Sequence, residues 1–491
     1  MTEVSCQVVT ASTLFGAATV AAAWDSGALP RRERTVLVVQ HNVTVPEASD
    51  DFTHGPAFAA LADRFDAVVA WNDVVAPYHP KEWSPRDDDA PLWERLLRVR
   101  WELGDGPLEL VGESVATSPT AALTRIFGSA AVTVYADGLM VYGPTRFPLD
   151  HATGGRVDRV LHLDLLPGVR PTLLAEWDVP GVVVPAESFR KIVGSLTEHA
   201  LACGDAPSTL CQERAGVRLA DHLPAAGDYA LVLGQYMAAI GLISEAEESA
   251  LHRRMVSLAA ERGYRTVLLK PHPSAPRQGT EELVAHARTV GVDLEVAPAA
   301  VLAESLYGES APGLVVSCFS TALATARSVY DIEVAAVGTD LLLDRLEPYP
   351  NSNRVPAVVV DALWGPDGPW TTDPGRLELL VRGVSYCQQP ALLGDLREQT
   401  VELLTARDAQ EGTLDDARLR RWFRRRRLTT LGLPGGLPVP RTTRLLRWAD
   451  SLDRRLLGGR LRRLARRRFA GGGDDLRAAL GAARTQVDGD D

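Results

Sequence analysis

Cysteine is scarce in this chain and follows no pairing pattern. The five cysteines (Cys6, Cys203, Cys211, Cys318 and Cys387) are an odd number, and no C-x-x-C occurs. That argues against a disulfide framework and for buried thiols in a reducing compartment. No Cys/His cluster has ligand spacing, so no metal site is expected. No run of about 18 strongly apolar residues occurs, so no membrane span is expected. P-loop, G-x-S-x-G and H-E-x-x-H sequences are missing, and no repeat of roughly 20–50 residues is visible. The stretch Val4–Trp24 is uncharged, but Glu3 stands where a signal peptide has basic residues. Thr10, Ser12, Thr13 and Gly16 dilute it further. It reads as a first strand, a loop and a first helix.

What the chain does have is length and an uneven charge. Its 491 residues exceed one ordinary core, and 46% hydrophobic with 23% charged residues is a globular composition. Two domains and an appendage are expected. The net charge is −11, yet residues 418–468 hold 18 arginines and only two acids, Asp450 and Asp453. That segment carries +16, leaving −27 for the rest. Such asymmetry points to an interaction tail on an acidic body. Trp422, Phe423, Trp448 and several leucines interleave with the arginines, as in helices lying on an anionic membrane surface. A polyanionic glycan or a partner enzyme is an alternative. Charge alone would also suit nucleic acid, but no nucleic-acid-binding motif accompanies it.

Apolar runs alternate with helical patterns. TVLVVQ (35–40), AVVAW (67–71), LELV (108–111), AVTVY (131–135) and VLHLDL (160–165) read as buried strands, followed by a helix over 186–202. The pattern loosens near 215–228 and restarts. YALVLG (229–234), TVLLK (266–270), GLVVS (313–317) and EVAAVG (333–338) are strands. Helices are expected over 244–262, over 279–290 and from about 320, with a returning helix over 388–408. Two β/α series predict two Rossmann-like lobes facing a cleft, over 1–222 and 229–408. Residues 412–491 form the Arg-rich, partly helical tail, with LPGGLPVP (433–440) as a linker.

Three short signatures lie where such sheets gather ligands. In YADG (135–138), Asp137 follows a strand and precedes Gly138. A carboxylate there can take the proton of an attacking hydroxyl, and glycine permits a sharp turn. An ordinary Asp-Gly turn is the plainer reading. In KPHP (270–273), Pro271 and Pro273 stiffen the turn carrying His272, and Lys270 adds a cation. That imidazole can hydrogen-bond or protonate a leaving phosphate; a surface loop histidine is the alternative. In SCFST (317–321), Ser320 and Thr321 begin a helix whose amino end suits an anion, a role compatible with plain capping. Gly234 and Gln235 end the first strand of the second series, where a ligand can approach closely. The Asp87-Asp88-Asp89 run reads as a solvated turn, and His79-Pro80 lacks the strand and lysine context.

Together, in this order and spacing, the three signatures resemble the acid-Gly, His-Pro and Ser-Ser/Thr motifs of bacterial sialyltransferases, the polysialyltransferase-type family in particular. The resemblance covers about residues 1–400 in layout. It implies a GT-B fold and an inverting, metal-independent transferase using CMP-sialic acid, with no cofactor. Asp137 would be the base. His272, Lys270, Pro273, Ser320, Thr321, Gly234 and Gln235 would serve the donor, and the APAAVLAESLY segment would add Glu304 as a ribose or base contact. It further implies a cell-surface or capsular glycan acceptor, such as a lipid-linked one, used at the cytoplasmic face of the plasma membrane. The family has two acids before its glycine; here the first position is Ala136. Two alternatives stay open. One is a GT-B enzyme with another donor, such as a CDP-glycerol-dependent teichoic-acid polymerase, which has a similar Lys-x-His-Pro pattern. The other is a non-catalytic glycan-binding protein of the same fold.

Overall fold

The computed structural model describes residues 4–43, 46, 50–136, 138–202, 224–235, 237–271, 280–297, 301–308, 310–406 and 416–438. The chain divides after Arg424 into two compact units. The first unit contains two sheets. Strands β1 (Cys6–Ala11), β2 (Arg34–Val39), β3 (Ala67–Ala70), β4 (Leu108–Gly112), β5 (Ala131–Ala136), β6 (Val157–Leu163) and β7 (Gly181–Val184) form one. Their order is β3-β2-β1-β4-β5-β6-β7. Strands β8 (Tyr229–Leu233), β9 (Thr266–Lys270), β10 (Asp293–Val296), β11 (Leu314–Ser317) and β12 (Glu333–Ala336) form the other, ordered β10-β9-β8-β11-β12. Every pairing is parallel. This is the α/β architecture expected from the two series, with the strand order of each sheet reversing beside its first strand.

The central strands are buried on both faces, which is why β8 reads as an unbroken apolar run, while β1 buries the polar side chains of Gln7 and Thr10 as well. The helix Leu14–Ser26 is apolar nearly all round. Thr13 caps it by accepting from the Gly16 N–H, and Gly27, at φ 76°, ends it in a left-handed turn. Phe15 meets Phe189 of the helix Ala186–Ala202 at 5.0 Å between ring centroids, so this helix is covered on the side away from the sheet. Ser244 and Glu247 form a capping box that starts the helix Glu245–Glu261.

After β12 the chain is helical. The returning helix is Pro374–Gln388, with a second one at Arg397–Thr405, rather than one helix over 388–408. Asp373 caps the first and Pro374 occupies its opening turn, so it starts earlier than periodicity suggested. It docks onto the loops of the first sheet. Ser385 Oγ lies 3.3 Å from Thr172 Oγ1, Glu378 pairs with Arg170 at 2.9 Å, and Gln389 Nε2 donates to the Arg146 carbonyl at 2.8 Å.

The start of the Arg-rich segment belongs to this same unit. Trp422 and Phe423 are fully buried. Trp422 Nε1 donates to Asp361 at 2.6 Å. Arg421 pairs with Asp361 and Asp367, and Arg424 pairs with Asp344 at 3.1 Å. These side chains are therefore not available to a membrane, and the partner-binding reading of 418–468 narrows to the arginines from Arg425 onward. Within the second unit, the helix Arg425–Leu431 ends at Gly432 (φ 64°), where the Leu433 N–H closes on the Leu428 carbonyl at 2.9 Å.

Candidate active site

The carboxyl edges of the two sheets meet where two of the three signatures lie. Gly138 follows β5, and Thr321 opens the helix Thr321–Tyr330 after β11. The Leu139 N–H donates to Thr321 Oγ1 at 3.4 Å. A Cβ at position 138 would stand 2.5 Å from Thr321 Oγ1 and 3.0 Å from its Cγ2. The backbone at Gly138 is extended, at φ −175°. The chain bends at Gly138 without a left-handed φ, and the missing side chain lets the opposite lobe approach closely. Asp137, His272 and Pro273 lie outside the described residues. Their neighbours Ala136, Gly138, Lys270 and Pro271 are described, and Ala136 is buried.

Ser320 is the N-cap of the helix Thr321–Tyr330, its Oγ accepting from the Ala322 N–H at 3.2 Å. Both Ser320 and Thr321 are half-buried. Tyr307 ties this helix start to the turn Ala303–Leu306, its hydroxyl donating to the Ala322 carbonyl at 3.1 Å. That turn carries Glu304, which is buried. Glu304 acts electrostatically on Lys270, the last residue of β9. Burial pushes the Lys270 ammonium down to about 8, against the opposing attraction of the Glu304 carboxylate. Lys270 Nζ donates to the Pro271 carbonyl at 2.9 Å.

Gln235 sits differently. Its side-chain amide donates to Ser317 Oγ at 2.8 Å and approaches the Gly234 carbonyl at 3.2 Å, bridging the ends of β8 and β11. Gly234 is half-buried, and its N–H donates to the Lys270 carbonyl at 2.8 Å. The Gln235 N–H donates to His252 Nε2 at 3.1 Å. Burial lowers the His252 pKa, which keeps the imidazole a neutral acceptor. Glu248 accepts from the Met237 N–H at 2.8 Å and holds the same loop.

The first lobe holds a polar cluster that sequence reasoning did not single out. Glu113, just beyond β4, accepts from the Ser12 N–H at 2.6 Å and the Ser12 hydroxyl at 2.7 Å. Tyr135 Oη lies 3.1 Å from Glu113 Oε1 and 2.9 Å from the Thr10 carbonyl. A Cβ at Gly16 would already be 2.9 Å from that hydroxyl, so the cluster is closely packed. The available signal was a carboxylate directly after an apolar strand, in LELVGES. Among the described residues, no group of three or more His, Cys, Asp or Glu side chains could hold a metal.

Two parallel α/β lobes whose carboxyl edges meet at these motifs have the layout of a GT-B glycosyltransferase. The profile of the family "Alpha-2,8-polysialyltransferase (POLYST)" matches residues 7–339. The chain belongs to that family and is a glycosyltransferase of the sialyltransferase type. The match ends early in the helices that follow β12. Among solved structures, the GT-B domain (residues 113–497) of a sialyltransferase from Photobacterium damselae is similar at 12% identity and TM-score 0.37, over 65% of this chain and 88% of that one. MurG of Acinetobacter baumannii is similar at 12% identity and TM-score 0.34, over 68% of this chain and 78% of that one. At such scores the assignment rests on the family match. Comparison with curated proteins returned no match.

Proposed function

We propose that this protein transfers sialic acid, or a related nonulosonate, from a CMP-activated donor to a cell-surface glycan, with inversion and without a metal. The observation that carries this reading is the contact of Gly138 and Leu139 with Thr321. It sets Gly138 of one lobe beside the helix amino end of the other. An acceptor bound at the first edge and a phosphate bound at the second would then share one reaction centre.

In this mechanism the acceptor hydroxyl attacks the anomeric carbon from the face opposite CMP. Asp137 takes its proton as the new glycosidic bond forms and the bond to the CMP phosphate breaks. The leaving phosphate gains charge, which His272, the Ser320 and Thr321 hydroxyls and the helix amino end stabilise. Lys270 contributes a buried positive charge beneath the phosphate. Glu304 is assigned to the ribose or base. The acceptor is proposed to be lipid-linked, with the protein working at the inner face of the plasma membrane and the arginines from Arg425 onward meeting anionic lipid.

The test is turnover and CMP affinity in Asp137→Asn. Turnover should fall by about 100-fold or more, the usual scale for losing a placed general base. CMP affinity should stay near wild type, because the base belongs to the opposite lobe. Wild-type turnover in this variant would move the base to another residue.

A further inference from the structure

Strands β1 and β4 are neighbours in the first sheet, but the chain leaves β1 for β2 on its other side and leaves β4 for β5. Connections that part in this way leave a crevice between the two carboxyl ends, and open α/β sheets bind ligands there. Ser12 and Thr13 follow β1 on one side of it, and Glu113 follows β4 on the other. Glu113 and Ser12 are half-buried and Thr13 is exposed, so the group reaches solvent.

The Glu113 carboxylate is held in place by its neighbours. It accepts from the Ser12 N–H at 2.6 Å and the Ser12 hydroxyl at 2.7 Å, and Tyr135 Oη lies 3.1 Å away. Gly112 pairs with Val134, so Glu113 stands level with Tyr135 of β5, the strand that leads to Asp137. It also lies against the amino end of the helix Leu14–Ser26, since a Cβ at Gly16, in the first turn, would stand 3.1 Å from Oε1. The place where such a helix end would receive a phosphate is therefore held by the protein's own negative charge. A second anion is repelled there, whereas groups that donate hydrogen bonds to a carboxylate are favoured.

We infer that Glu113 binds the acceptor through hydroxyls next to the one that attacks. The exocyclic chain of a terminal sialic acid carries hydroxyls on three successive carbons. It would enter the crevice in exchange for the Ser12 hydroxyl, with the carboxylate of the sugar turned away. Only the identity of the sugar rests on the proposed sialic acid transfer; the hydroxyl-binding crevice does not.

The test measures binding of a fluorescent α2,8-linked sialic acid trimer to the full chain. Nucleotide is left out, so a wrong donor and a wrong acceptor contact give different results. Mild periodate followed by borohydride shortens the exocyclic chain of the terminal sugar alone, because the 8-hydroxyls of the inner sugars are substituted. Glu113→Gln should weaken binding of the intact trimer about tenfold or more, the scale of a hydrogen bond to a charged group. Shortening the chain should weaken wild-type binding by a similar factor and add little in Glu113→Gln. A carboxylate that only fastened Ser12 would show no such coupling. Glu113→Asp, which draws the carboxylate back by one carbon, should also discriminate less between the two trimers, and it decides the matter if Glu113→Gln does not fold. Failure of the wild-type protein to bind the intact trimer, equal affinity for both trimers, or wild-type discrimination in either variant would overturn the inference.

Discussion

Thr321 and Gly138 are 183 positions apart in the sequence, yet a methyl group at the second would strike the hydroxyl of the first. Gly138→Ala should therefore displace the Asp137 segment from the opposite edge and lower turnover by about tenfold to a hundredfold, the cost of a misplaced reacting group. Thr321→Ala removes both obstructing atoms. Turnover of the double variant should exceed the product of the two single effects, and steady-state kinetics on all four proteins checks this coupling. Strict additivity would mean that the two residues act separately. Lys270 gives a pH prediction. Its ammonium, held down to about 8 by burial, is charged below that value and neutral above it. Affinity for an anionic nucleotide should thus decline as pH rises through about 8. Lys270→Met should weaken binding and flatten the profile, as titration calorimetry across pH 6.5–9.5 would show. The types and order of these residues were legible in the sequence because each follows an apolar strand. Their surroundings were not. Nothing local says that Glu304 is buried or that the Gln235 amide turns inward to Ser317, since both depend on strands brought together from far apart.

Among the elements, those covered on both faces were the most readable. The strands beginning near residues 35, 108, 131, 229, 266 and 313 are mostly continuous apolar runs, and the structure places each in a sheet. The ones missed, β7 and β10, are four-residue edge strands with mixed exposure, and their short runs carry little pattern. The helix Asp416–Phe423 shows the opposite failure. Its basic amphipathic pattern was plain, but periodicity gives the face and not what covers it. Here Asp361, Asp367 and Asp344 receive the arginines, and Trp370 meets Trp422 at 5.5 Å between ring centroids. Trp422→Ala should cost about 3–5 kcal/mol of stability, as for other large buried aromatics. A drop in denaturant midpoint would register it; an unchanged midpoint would return this segment to the tail.

For the molecule as a whole, the split after Arg424 separates the catalytic reading from the basic extension. A chain ending at residue 438 keeps Trp422, Phe423 and both sheets. It should retain nucleotide affinity while losing most of its salt-sensitive attachment to anionic vesicles. Cosedimentation at low and high salt would check this. Unfolding of the shortened chain would make the extension structural. CMP is the nucleotide proposed for Lys270, His272, Ser320 and Thr321. Thermal unfolding of the full chain with CMP, CDP, UDP and GDP at equal concentration tests it most directly, because a ligand that binds the folded state raises the midpoint by mass action. CMP should give the largest rise, and the rise should shrink in His272→Ala. A larger rise with UDP or GDP, or none with CMP, would contradict the account.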